Sequence, residues 1–180
     1  MSIIPSNQIN LYGLDNDLRF FISLYEKNKL PNKILLSGQK GIGKSTLAYH
    51  LVNFILSEYE EYPYDKTKLK INELNKSFKL IQNKVNPNFK LIDISSGSKS
   101  INIDQIRDLI RNVNKSSFND KPSFVLIDNT EYLNKNSINA LLKDLEEPNE
   151  NTFFILINNQ KKLLSTLTSR CINFNISLSN

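Results

Sequence analysis

The stretch Gly38-Gln39-Lys40-Gly41-Ile42-Gly43-Lys44-Ser45 restricts what this chain can become more than any other feature. It fits G-x-x-x-x-G-K-[ST] at every fixed position. The apolar run Ile34-Leu35-Leu36 precedes it, and a helical pattern through Leu47, Ala48, Leu51, Val52 and Ile55 follows. A strand, a glycine turn and a helix in that order cradle a polyphosphate. Gly38, Gly41 and Gly43 allow positive φ, so backbone N–H groups can turn inward around an anion. The helix start adds the positive end of its dipole. In such a loop Lys44 reaches the β- and γ-phosphates and the Ser45 hydroxyl ligates Mg²⁺. Gln39, Lys40, Ile42 and Thr46 complete the nucleotide-binding stretch.

Strand and helix patterns alternate along the rest. Residues 89–94, 123–127, 152–157 and 171–176 read as further strands. Leu18, Phe21, Ile22 and Tyr25 share one helical face after Asp15, the expected N-cap. Asn102 and Gln105 form a capping box before a helix with Ile103, Ile106, Leu109, Ile110 and Val113 on its apolar stripe. Another apolar face, Ile138, Leu141, Leu142 and Leu145, closes at Pro148, and a short helix is expected around 161–169. Uninterrupted apolar strands such as Phe124-Val125-Leu126-Ile127 belong to sheets covered on both faces. The expectation is an α/β fold, a three-layer doubly wound parallel sheet of the P-loop NTPase kind, in one domain over residues 1–180. Residues 58–88 interrupt the pattern. They begin acidic and aromatic, then carry Leu69, Ile71, Leu74, Phe78, Leu80 and Ile81 at loosely helical spacing, which predicts an insertion of one or two helices packed on one side.

A fold with this loop needs a second acidic group. Asp128 ends a buried strand, where ligands bind in open α/β sheets, and is expected to hold Mg²⁺ together with Ser45. Asn158 or Asn159, past the next strand, is placed to hydrogen-bond a γ-phosphate or water, or is an ordinary turn asparagine. Composition excludes other classes. No apolar run approaches the ~20 residues of a membrane helix, and the first residues lack the basic-then-apolar order of a secretory signal. The single cysteine, Cys171, forms neither an internal disulfide nor a cysteine-based zinc site, and His50 has no second ligand near it in sequence. The net charge of +5 comes mostly from lysine, with four arginines among the 23 basic residues, so it says little about nucleic acid. A cytoplasmic setting is expected.

The segments Asn139-Ala140-Leu141-Leu142-Lys143-Asp144-Leu145-Glu146-Glu147-Pro148 and Leu163-Leu164-Ser165-Thr166-Leu167-Thr168-Ser169-Arg170-Cys171 resemble the clamp-loader branch of the AAA+ ATPases. Ile103-Asp104-Gln105-Ile106-Arg107 adds to the likeness. Within that branch the chain is most similar to delta-prime-type subunits of bacterial DNA polymerase III. The resemblance implies ATP or ADP with Mg²⁺ as cofactors and no zinc, since the four-cysteine module common in this branch is absent. It implies as partners the gamma/tau and delta subunits, the sliding clamp and, through the complex, primed DNA, with no membrane. It also implies lid and collar domains after residue 180. Arg170 corresponds to the branch's arginine finger, which reaches ATP on an adjacent subunit; capping a helix or pairing with Asp or Glu is the ordinary alternative. Family ATPases commonly follow the strand-ending Asp with Glu, whereas this chain has Asn129 there, so its own hydrolysis is expected to be weak or absent. Glu131, nearby in sequence, is the less favoured substitute. The rivals are an active gamma/tau-type ATPase and, further off, a phosphate-loop kinase.

Overall fold

The computed structural model describes residues 4–94, 98–115, 120–147, 151–159 and 165–178. Pro148, residues 95–97 and the first part, 161–164, of the expected helix lie outside these, as does the side chain of Val113. The chain divides into two compact units. One comprises Met1–Leu30, Lys40–Asn86 and Ile176–Asn180, the other Pro31–Gln39 and Pro87–Asn175.

The second unit holds the sheet. Its strands are β1 (Lys33–Ser37), β2 (Phe89–Ile92), β3 (Ser123–Ile127), β4 (Thr152–Asn158) and β5 (Ile172–Asn175). All pair in parallel, in the order β2-β3-β4-β1-β5. Leu35, Val125, Ile127, Phe154 and Leu156 share one core with α4 (Ile103–Lys115), α5 (Lys135–Glu146) and α6 (Ser165–Thr168), which contribute Ile106, Leu109, Leu141, Leu145 and Leu167. Strand residues of the opposite parity, Ile34, Leu36, Phe124, Leu126, Ile155 and Ile157, are equally buried. Neither side of β1, β3 and β4 meets water, which is why these strands carry continuous apolar runs. Each such side chain is worth about 1.5–3 kcal/mol of burial. β5, at the sheet edge, is largely exposed.

Helix starts in this unit follow the local chemistry. Asn102 Oδ1 accepts from the Gln105 amide and Gln105 Oε1 from the Asn102 amide, both at 3.0 Å, the reciprocal capping box. Asn134 caps α5 through the Ser137 amide. β2 stops at Ile92, not at residue 94, because Asp93 turns its Oδ1 onto the Ile94 amide. β5 is likewise shorter than expected, since the Cys171 amide is taken by the Leu167 carbonyl.

The other unit contains α1 (Asp15–Glu26), α2 (Lys44–Leu56) and α3 (Lys76–Gln82). Asp15 is not the cap of α1. It is the first helical residue, and with Asp17 it puts negative charge at the dipole's positive end, while the cap position falls to the fully buried Leu14. The 58–88 insertion has one helix, α3. The rest of the apolar spacing is not helical, since Leu69 sits at φ 50° in a turn and Leu74 and Val85 are more than half exposed.

Buried polar groups fasten the insertion to α2. The Asn75 side chain caps Phe78 (2.8 Å), accepts from Asn53 Nδ2 (3.0 Å) and donates to the Tyr62 carbonyl (2.8 Å). Glu60 accepts from both the amide and the hydroxyl of Ser77. His50 Nδ1 lies 2.8 Å from the Tyr64 hydroxyl. No helix among the described residues is long and apolar enough to cross a membrane.

Candidate functional site

The glycine turn has the backbone its sequence demands. Gly38, Gly41 and Gly43 sit at φ 146°, 87° and 98°. Gly43 is the N-cap of α2 in left-handed conformation, and its carbonyl accepts from the Leu47 amide at 2.8 Å. A Cβ there would approach Leu14 Cδ1 to 3.3 Å; one at Gly41 would meet nothing within 4 Å, so backbone angle alone selects glycine at that position. Lys44, the first residue of α2, is buried. Ile42, Ser45 and Thr46 are half-buried, whereas Gln39 and Lys40 are exposed.

Within the sheet unit, the C-terminal edge gathers the other candidates. Ile127 pairs with Leu156, and Ser37 with Asn158, so Asp128, Asn158 and Gly38 leave the adjacent strands β3, β4 and β1 at the same edge. Asn158 is buried. Asp128 Oδ1 accepts from the Asn129 amide at 2.8 Å. Asn129 adopts φ 56°, a left-handed angle that asparagine tolerates better than most residues. Its side chain is held at both ends: Nδ2 donates to Asp93 Oδ1 (2.7 Å), and Oδ1 accepts from Asn159 Nδ2 (2.9 Å). Glu131 Oε2 accepts from the Asn159 amide at 3.2 Å, so it props β4's end. Thr130 Oγ1 donates to the Ile157 carbonyl.

Asp93, which reads in sequence as a strand residue, escaped sequence reasoning, and of the two asparagines named as alternatives it is Asn159 that is tied to Asn129. The neutral carboxamide of Asn129 takes up no proton from water, and its orientation is set by Asp93 on one side and Asn159 on the other.

Arg170 follows α6 at the surface of the same unit, with a third of its side chain exposed. Its Nε and Nη2 donate to Glu146 Oε1 at 3.0 and 2.6 Å, and Nη1 donates to the Thr166 carbonyl (3.2 Å) and Ser169 Oγ (3.3 Å). In the chain by itself it therefore both caps the short helix and pairs with a carboxylate. Next to it Cys171 is buried, which pushes its thiol up to about 11 against the pull of Lys33.

A phosphate-loop sequence on a parallel sheet of this strand order defines the class, an AAA+-type P-loop NTPase module. The fold is that of a gamma subunit-related protein of DNA polymerase III from Thermotoga maritima, with a TM-score of 0.62 at 21% identity over 90% of this chain and 46% of that one. The family model described as "DNA polymerase III, delta subunit" matches residues 14–179, and the chain belongs to that family. It is 33% identical to the delta-prime subunit of DNA polymerase III from Pseudomonas aeruginosa, over 77% of this chain and 40% of that protein. It is 30% identical to the gamma subunit from Buchnera aphidicola, over 86% and 40%. The chain thus spans less than half the length of these relatives.

Proposed function

We propose that this chain is the AAA+ module of a clamp-loader subunit of delta-prime type, which binds a nucleotide, hydrolyses it poorly and lends Arg170 to ATP on an adjacent subunit. The observation that carries this reading is Asn129. The position after the strand-ending Asp128 holds a neutral amide bonded to Asp93 and Asn159, where an ATPase of this branch is expected to have a water-polarising carboxylate.

The loop supports occupancy by ATP or ADP, because three glycines already stand at positive φ ahead of a long helix. Residues 38–46 would surround the phosphates, with Lys44 on the β- and γ-oxygens. Ser45 and Asp128 would hold Mg²⁺, which when bound neutralises charge on those oxygens. Asn158 would hydrogen-bond the γ-phosphate or water.

Arg170 carries the chemistry directed outward. A guanidinium brought to a neighbour's γ-phosphate stabilises the charge of the transition state, an effect on the order of 10³-fold or more. The partners in this reading are gamma/tau and delta subunits, the sliding clamp and primed DNA, in the cytoplasm. The similarity to gamma subunits keeps an active gamma/tau-type ATPase as the second reading. Titration of ATP and Mg²⁺ against the full-length protein, with turnover followed alongside, separates the two. Binding that Lys44→Ala abolishes, with negligible turnover, is expected. Sustained hydrolysis by the protein alone, lost in Lys44→Ala, would establish the second reading. Arg170→Ala should keep nucleotide binding and lower turnover of the assembled loader.

A further inference from the structure

A guanidinium has five N–H donors. In Arg170, Nε and one Nη2 hydrogen go to a single oxygen of Glu146, and both Nη1 hydrogens go to Thr166 and Ser169. We propose that Glu146 is a positioning residue that stows Arg170 against the end of α5, and that the arginine must leave it to engage a phosphate. The proposal rests on the trans role of Arg170 given above.

The partners divide by element. Thr166 and Ser169 lie in or beside α6, on the same turn of chain as Arg170, and keep one side of the guanidinium oriented wherever that turn goes. Glu146 is the last residue of α5, a separate element, so this is the contact that breaks when the arginine reaches outward. Both donors converge on one carboxylate oxygen, which is not the two-oxygen fork that makes arginine–carboxylate pairs strongest. The Glu146 side chain is 54% exposed, so water can resolvate it on release and no buried charge is stranded. A carboxylate that stayed on the guanidinium would repel the arriving phosphate. Half-exposed pairs of this kind favour the closed form by roughly two- to five-fold, and because the guanidinium acts on the transition state, that factor lowers kcat for the neighbour's ATP by about the same amount.

The test reconstitutes the loader with wild-type chain, Glu146→Gln, Glu146→Asp and Arg170→Ala, and measures ATP turnover. Glu146→Gln, a neutral isostere, should raise kcat about two- to five-fold with KM for ATP little changed. Glu146→Asp, too short to hold the same contact, should fall between wild type and Glu146→Gln. In the isolated chain, hydrogen exchange at the Arg170 Nε–H, followed by NMR, should quicken by a similar factor in Glu146→Gln while the melting midpoint stays put. If Arg170→Ala leaves turnover unchanged, the trans role itself fails. If Arg170→Ala is defective but Glu146→Gln has an unchanged or lower kcat, the trans role stands and the stowing role is overturned.

Discussion

The Asp93–Asn129 contact fixes the orientation of the amide that follows Asp128, and Asn129→Asp tests it at nearly constant shape. Asn129 Nδ2 lies 2.7 Å from Asp93 Oδ1, so the exchange replaces a donor by a carboxylate oxygen at that spot. Two unit charges so close repel by about 1.5 kcal/mol at the dielectric constant of water and about 6 kcal/mol at an effective value near 20. Both residues are half-buried, so rotation and solvent trim this to about 2–3 kcal/mol, to which the lost charge-assisted hydrogen bond adds about 1.5 kcal/mol. One shared proton removes the repulsion and restores an O–H···O bond. The introduced carboxyl therefore has a folded-state pKa above its unfolded value near 3.9. A group raised in this way costs nothing below the unfolded pKa, and its penalty grows as pH rises through the folded one. Urea denaturation of wild type and Asn129→Asp at matched pH should show nearly equal stabilities at about pH 4 and a deficit of about 3.5–4.5 kcal/mol at about pH 8. Asn129→Ala, with no new charge, should show a deficit that does not vary with pH. An equal deficit for Asn129→Asp at both pH values would mean that the two side chains do not face each other.

Burial lowers His50 from 6.5 to about 4, against a hydrogen bond donated to the Gln8 backbone that favours the charged form. The unfolded chain then takes up this proton first, so stability should fall as pH drops from 6.5 towards 4, by about 3 kcal/mol in all. The chain has a single histidine, so its NMR ring resonance reports this directly, and a midpoint near 6.5 would refute the burial. Cys171, raised to about 11, should react with a disulfide reagent at pH 8 at least about 100-fold more slowly than a free thiol and only as fast as the protein opens; prompt labelling would show it accessible.

The parallel sheet was legible because β1, β3 and β4 are buried on both sides and so spell themselves as runs of Ile, Leu, Val and Phe. The capping box was legible because both of its partners lie three residues apart. The glycine turn was legible because positive φ admits few other residues. The Asp93–Asn129–Asn159 cluster was not, since its members come from three different strand ends and the bonds exist only once β2, β3 and β4 lie side by side. In sequence Asn129 stands out only as the residue after Asp128 where family ATPases commonly have Glu, and nothing there ties it to Asp93 or Asn159. Residues 66–75 misled for the opposite reason. Their apolar residues do fall near helical spacing, but Ile71 and Tyr64 are buried from a turn whose amides go to the Asp65 carboxylate and across to Lys70. Asp15 was misplaced by one position because the true cap, Leu14, is chosen by burial and offers no side-chain oxygen.

Strand order also has a consequence for how the molecule is made. β1 is the first strand of the sheet to emerge from the ribosome, yet the two strands that flank it, β4 and β5, are the last of the five. Until then Lys33–Ser37 exposes two unpaired edges of an apolar ribbon. Sheets closed by such distant pairings form slowly and leave nascent chains open to aggregation. In this protein the strand that leads into the glycine turn is the one left waiting, so the phosphate cradle has no settled foundation until β4 and β5 have appeared.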